Sequence, residues 1–557
     1  MDRGEEVCSG RHLTLAVRRS EVTVGVERWT PKQELTEQEQ AMLLRMKRTG
    51  KLFAFLRRHR HELIDDALQE ELEAMYRQTG AGKAPVPPGL LAMATLLQGY
   101  LKASDAGMVE LTVFDLRVQM VLGCMGSTEP AFSQGALWEF RHRLIRNNMD
   151  RRLLEKSIEV ATRQRELNPR HLKSMLRVAI DSRPLEGAGR VEDTLNLLGH
   201  AARKVVACVA RELGWPKEKV CREAGIPLLL ETSVKKALDV DWNEAGQKTR
   251  ALQKLVKQLD CLQAWLKRQL PELLTKAPLA GHLATLEQLR NQDLEPDPEG
   301  GGGVRIRKEV AENRRVSVED GEMRHGRKSK SKRFNGYKQH MATDLDEQLI
   351  LACAVTPANR PEAEATPELE KDMKQQGVQI DELHIDRGYI SSSVAENVQG
   401  RGGEVLCKPW KSKNGDLFPK SVFKLDMRRR TLTCPGGQTQ RFTLGTTVEF
   451  EAKVCDRCPL RAQCTEGRLG HGRTVAISEE EALQHRLRKL VKTSAGRQRL
   501  RQRVGVEHRQ AHLARRQGPR ARYCGVRKNV FDLRRAACIQ NLETCQRRLE
   551  SSPAQVG

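Results

Sequence analysis

Two apolar runs, FNGYKQHMATD (334–344) and QLILACAVTPAN (348–359), flank a short polar turn from Asp344 to Glu347. Segments of this kind with so short a connection close as an antiparallel β-hairpin. Three further stretches read as strands: MLRVAIDS, a buried strand ending at Asp181; ELHID, ending at Asp386; and the short EVLCKP. Helical patterns separate them, at about 362–376 and again after Asp386. The expected fold class is therefore α/β, a mixed sheet flanked by helices. Asp181 and Asp386 then stand at the carboxyl ends of apolar strands, where a rigid sheet presents functional side chains. Gly388 is expected to permit a tight exit after Asp386.

The rest of the chain reads as mostly helical. Residues 11–28 alternate weakly, as in a strand or hairpin, and Thr36 with Glu39 forms a capping box before an apolar-periodic segment running through Leu63. After the break at Pro85, Pro87 and Pro88, helices are expected near 89–103, 107–124 and 133–148. The last carries Leu137, Phe140 and Leu144 on one face, with Arg141, Arg143 and Arg146 displayed beside them. Such a helix suits a major groove, and a solvated face would look the same. From about Asp193 to Leu294 the pattern is helical and rich in Leu, Lys and Gln, closing in the breaker EPDPEGGGG at 295–303. A long basic helical region, broken near Gly518 and Pro519, fills 478–548.

Charge narrows the chemistry. A net charge of +24 favours an extended polyanion over a small acidic metabolite as partner. Between Ala482 and Phe531 the basic run contains one acid, Glu507, set among Arg501, Arg503, Arg509, Arg515 and Arg516. An isolated carboxylate in a phosphate-binding surface suggests a metal ligand, with Asp181 and Asp386 as its partners. Three such oxygen donors suit Mg²⁺ or Mn²⁺.

Of fourteen cysteines, only Cys434, Cys455, Cys458 and Cys464 cluster. Four thiolates at that spacing make a closed structural site, so zinc is expected there; four free thiols in a small apolar insert are the alternative. No apolar run reaches the ~18 residues of a membrane span, and residues 1–30 lack a secretory apolar core, so a cytoplasmic location is expected.

Four motifs in this order resemble the DDE transposases of bacterial insertion sequences, in the subgroup with a cysteine-rich insert: AIDSRPLEGAGRVEDTLNLL, DGEMRHGRKSKSKRFNGYKQHMATD, HIDRGY and RVGVEHRQAHLARRQGPRARYCGVRKN. The likeness covers about residues 85–545. It implies a ribonuclease-H-like catalytic core with Asp181, Asp386 and Glu507 as the metal-binding triad. Arg503, one helical turn before Glu507, matches a basic residue of the family that would hold a DNA phosphate near the metals. Two family positions differ: Leu500 stands where a tyrosine is usual, and Ala514 where a lysine is, with Arg515 and Arg516 adjacent.

The resemblance implies that water activated by divalent ions cuts DNA at the element's ends and that the freed 3′-hydroxyls attack target DNA. Terminal inverted repeats and target duplex would be the partners, engaged by a homodimer in a bacterial, nucleoid-associated setting. Arg141, Arg143, Arg146, Lys338, Arg515 and Arg516 are the expected DNA contacts. The partition is an N-terminal strand and helical region (1–84), a helical DNA-binding domain (85–165), the catalytic core (166–192 and 304–425) interrupted by a helical insertion (193–303), the zinc-binding insert (426–475), C-terminal basic helices (476–548) and a disordered tail (549–557). A metal-dependent nuclease of the same core, or an inactive transposase that only binds DNA, are the alternatives.

Overall fold

Thr36 starts the first helix, Glu37–Arg45: its hydroxyl accepts from the Glu39 amide, and the Glu39 carboxylate accepts from the Thr36 amide. The computed structural model describes residues 26–47, 50–76, 84–163, 176–298, 303–329 and 331–551. The weak strand pattern expected at 11–28 lies almost wholly outside them. The chain divides into two units, Met1–Met149 and Asp150–Gly557.

In the first unit, helices Lys51–Leu63, Asp66–Glu73, Pro88–Leu101, Asp105–Phe114, Leu116–Leu122 and Gln134–Arg146 follow. The stretch expected at 107–124 is two helices, because the Asp115 carboxylate accepts from the Arg117 and Val118 amides and caps the second. Leu137, Phe140 and Leu144 are buried. Arg141 is not displayed beside them, as the sequence suggested. Four residues after Leu137 and three before Leu144, it shares their face, and its buried guanidinium donates to both Asp105 oxygens at 2.6 and 2.7 Å. Arg143 lies over the Tyr76 ring, 4.2 Å from its centroid, and Arg146 is exposed.

The second unit is built on one mixed sheet. Its strands are β1 (Leu176–Glu186), β2 (Arg324–Arg327), β3 (Arg333–Asp344), β4 (Ile350–Pro357), β5 (Ile380–His384) and β6 (Glu404–Leu406). The expected hairpin is present as β3 and β4, antiparallel. β1 runs antiparallel to β3 on its other side and parallel to β5, and β6 is parallel to β5. The order β4-β3-β1-β5-β6, with β2 alongside the start of β3, is a mixed α/β arrangement compatible with a ribonuclease-H-like core.

Helix α1 (Met149–Arg163) packs on the last of four helices that surround this sheet, α2 (Thr366–Gln375), α3 (Ser494–Arg501), α4 (Val504–Gln517) and α5 (Val526–Ser551). Residues Ile350 to Val355 of β4 are all buried, as expected of a strand covered on both faces; α2 and α5 pack against it. Asn541 of α5 closes the first residue of β4 like a neighbouring strand: its amide oxygen accepts from the Ile350 amide at 2.8 Å and its Nδ2 donates to the Ile350 carbonyl at 3.0 Å. Helix α5 continues through 549–551, where a tail was expected; residues 552–557 lie outside the described ones.

Two inserts carry their own cores. Helices Thr194–Leu213, Ala245–Gln269 and Leu279–Asp293 bury Leu197, Val205, Leu255, Leu259, Leu262 and Leu286 against one another. What reads as a linker at 295–303 begins as a strand, Leu294–Pro296, paired antiparallel with Val304–Ile306. The cysteine-bearing insert is made of short strands around Phe423, Leu432, Phe442, Val448, Phe450, Val475 and Ile477. Among the described residues no helix is long and apolar enough to cross a membrane.

Candidate active site

Asp181 lies in the middle of β1, not at its end. The strand continues to Glu186 because Ser182 to Glu186 stay paired with β3, opposite His340 to Gly336. On the other side the last parallel pair is Ala179 with His384, after which β5 ends. Beyond that point β1 has an open edge, which is where Pro184, lacking an amide proton, is tolerated. Asp181 and Asp386 each stand two residues past that last pair, so the parallel register sets them side by side where the sheet splits.

Their surroundings differ. Asp181 is 7% exposed, and its Oδ1 accepts from the Ser182 amide at 2.8 Å. Burial pushes its carboxyl up to about 6; Arg503 opposes the rise, and the charges of Asp386 and Glu362 add to it. Asp386 opens a 3₁₀ turn, Arg387–Tyr389, and its side chain is about half exposed. Gly388 does not adopt the left-handed backbone. It leaves room instead, since a Cβ there would stand 2.1 Å from Glu362 Oε2.

Glu507 arrives from the other end of the unit. The break after α4 docks on β1: the Glu186 amide donates to the Pro519 carbonyl, and the Ala521 amide donates to the Glu186 carbonyl. Arg183 of β1 donates to Gln517 at 2.8 Å. With its last turn fastened there, α4 presents Glu507 in its first turn, behind Arg503 at the N-cap position.

Arg503 is the point where the acids meet. Its Nη1 lies 3.5 Å from Asp181 Oδ1, and its Nη2 lies 2.9 Å from Asp386 Oδ1 and 3.5 Å from Glu507 Oε1. Burial works against the guanidinium's charge, but the three carboxylates outweigh it and hold its pKa above the ordinary value. Hard oxygen donors converging with net negative charge suit Mg²⁺ or Mn²⁺. As they stand, no three His, Cys, Asp or Glu among the described residues are arranged to hold a metal, and the guanidinium is what stands between the carboxylates. In charge and donor type the three carboxylates suit such an ion, and Arg503 occupies the space between them.

The basic surface around Glu507 is thinner than its sequence suggests. Arg501 and Arg515 are exposed. Arg509 is buried, donates to Thr544 at 2.8 Å and is pushed down to about 10 by that burial. Arg516 is held by Glu543 at 2.6 Å, tying α4 to α5. Lys338 is half-buried and donates to the Arg360 carbonyl at 2.8 Å. A cavity of about 490 Å³ opens beside the acids, lined by Asp386, Arg387, Leu500, Arg501, Arg503 and Glu507 among others.

The four cysteines of the insert lie near one another: Cys464 feels the charges of Cys455, Cys434 and Cys458, and Gly436 sits beside the Cys434 and Cys458 sulfurs. Cys434, Cys455 and Cys464 pack partly buried on the insert's apolar core, and Cys434 Sγ accepts from the Gln438 amide at 3.3 Å. Among the described residues no group arranged to hold a metal is found, so zinc at these cysteines is not supported.

Sequence reasoning missed the polar column beneath Asp181. Ser182 donates to Glu362 at 2.6 Å and stands beside the Tyr389 hydroxyl. That hydroxyl pairs with His340 Nδ1 at 2.6 Å, and His340 Nε2 pairs with Thr356 at 2.9 Å. Burial pushes His340 down to about 3, so it is neutral.

Two family models match the chain: a transposase DDE domain over residues 304–542 and a transposase domain (DUF772) over residues 47–143. No curated protein and no solved structure shows a match.

Proposed function

The chain belongs to the DDE transposases of insertion sequences, and on that premise we propose that it cuts the ends of its mobile element and joins the freed 3′-hydroxyls to target DNA, using Asp181, Asp386 and Glu507 as its ion-holding acids. The observation that carries this reading is the convergence of those three carboxylates, from distant parts of the chain, on one guanidinium. When bound, Mg²⁺ or Mn²⁺ would supply charge neutralisation at the scissile phosphate and activate water.

The chain itself supplies placement. Asp181, buried on β1 where the strand is paired with β3, is the fixed point of the site, while the more exposed Asp386 and Glu507 can adjust to the substrate. Arg503, once released from the acids, would turn its fork to a DNA phosphate. Both steps are in-line displacements in which positioning and charge do the catalysis, with no covalent protein intermediate. Exposed Arg146, Arg501 and Arg515 would track duplex backbone, making binding salt-sensitive. A homodimer on DNA follows from the need to cut two ends together, in a cytoplasmic enzyme associated with the nucleoid.

The test is a strand-transfer assay with a duplex carrying the element's end, a plasmid target and Mg²⁺. Cut ends joined to the plasmid are expected. Ends that are cut and never joined would make the chain a nuclease of the same core, and DNA bound but left whole would make it a binding protein alone.

A further inference from the structure

Glu362 lies in an acid-rich stretch with Glu364, Glu368 and Glu370. Glu364 and Glu368 are exposed, and Glu370 is drawn away to Ser393 and Asn397. Glu362 is half-buried and turns toward the active site from a 3₁₀ turn, Glu362–Ala365, between β4 and α2. Its two oxygens face different segments. Oε1 accepts from the Ser182 hydroxyl at 2.6 Å, and Oε2 fills the space in front of Gly388. The three atoms nearest to a Cβ added at Gly388 all belong to Glu362.

We propose that Glu362 is a positioning residue: a strut between the chain neighbour of Asp181 and the turn that carries Asp386, fixing the separation of the two acids that cation binding requires. The strut stands on a firm base, because Ser182 is backed by Tyr389, His340 and Thr356, which link β1, β3, β4 and the Asp386 turn. Without Glu362 the open edge of β1 and the turn after β5 lose their side-chain tie through it. Outer partners that orient metal ligands act in this way without touching the ion. The inference rests on the reading of Asp181 and Asp386 as ion-holding acids.

The test is Mn²⁺ binding to the full chain, by calorimetry, for wild type, D181N, E362A, E362Q, G388A and E362A/G388A. D181N should lose binding. E362A and G388A should each weaken it roughly tenfold, while E362Q, which keeps an acceptor for Ser182 and its place before Gly388, should stay near wild type. The double variant should bind like E362A alone, since the added methyl then has nothing left to displace. Wild-type binding in E362A, or losses that add in the double variant, would overturn the strut. Should G388A fail to fold, E362A against E362Q still decides. If D181N binds as well as wild type, the cation reading of the site falls and the strut falls with it.

Discussion

Arg503 Nη2 and Asp386 Oδ1 form a 2.9 Å ion pair, and the same nitrogen reaches Glu507 at 3.5 Å. One guanidinium thus offsets part of the repulsion among the three acids. The hold is incomplete, because Nη1 is buried without a hydrogen-bond partner among the described residues. A buried donor left unpaired costs on the order of 1–3 kcal/mol. A divalent cation that satisfies the carboxylates would therefore displace Arg503 more easily than it would a fully bonded side chain.

R503Q removes that countercharge and leaves the three carboxylates facing one another. In EDTA its Tm should fall below wild type, and saturating Mg²⁺ should raise its Tm by roughly 2 °C more than it raises wild type, because the ion replaces a charge the variant lacks. Paired thermal scans with and without Mg²⁺ measure this. Equal shifts in the two proteins would show that Arg503 and the ion do not share a site.

D181A should abolish end cleavage while leaving duplex affinity intact, since the carboxylate is only 7% exposed and offers a duplex little surface. A rate loss greater than about 100-fold is expected, beyond what removal of an outer partner costs. Cleavage of a labelled end and gel-shift titration of the same duplex separate the two effects. Retained cleavage would remove Asp181 from the proposed triad.

How far the sequence revealed this site varies residue by residue. The β3–β4 hairpin was legible because both strands are long and apolar around a short polar turn. Glu507 stood out because it is alone in a basic run, and the structure brings it to the same guanidinium as Asp181 and Asp386. The end of β1 was misplaced because Ser182, Arg183 and Pro184 look like an exit, whereas pairing with β3 carries the strand on. Arg141 was misplaced by its charge, although its helical spacing from Leu137 and Leu144 puts it on the buried face. Glu362 had no signal: among neighbouring acids nothing local distinguishes the one that turns inward, and its partner Ser182 is far away in the chain.

Asp344 provides a pH test away from the acids of the site. It is buried at the end of β3, and its carboxyl is pushed from 3.8 up to about 6, chiefly by that burial, against the bond from the Asp346 amide. A folded pKa above the unfolded one means the stability it contributes is complete below 3.8 and is lost as pH rises through about 6. D344N can still accept from Asp346 but cannot ionise. Its Tm advantage over wild type should open between about pH 4 and 6 and stay constant above. An advantage that shrank with rising pH would contradict the burial argument.

Arg141 and Arg146, five residues apart on one helix, should behave in opposite ways. R141A leaves the Asp105 carboxylate without its bidentate partner, which should cost roughly 2–4 kcal/mol and lower Tm. At salt concentrations where the variant is folded, its duplex affinity should match wild type. Arg146 is exposed, so R146A should leave Tm unchanged, weaken duplex binding across sequences and reduce the slope of log affinity against log salt by about 1. Thermal melts and salt titrations on both variants distinguish a structural ion pair from a phosphate contact. A salt slope altered by R141A and untouched by R146A would reverse the assignment of which face of this helix meets DNA.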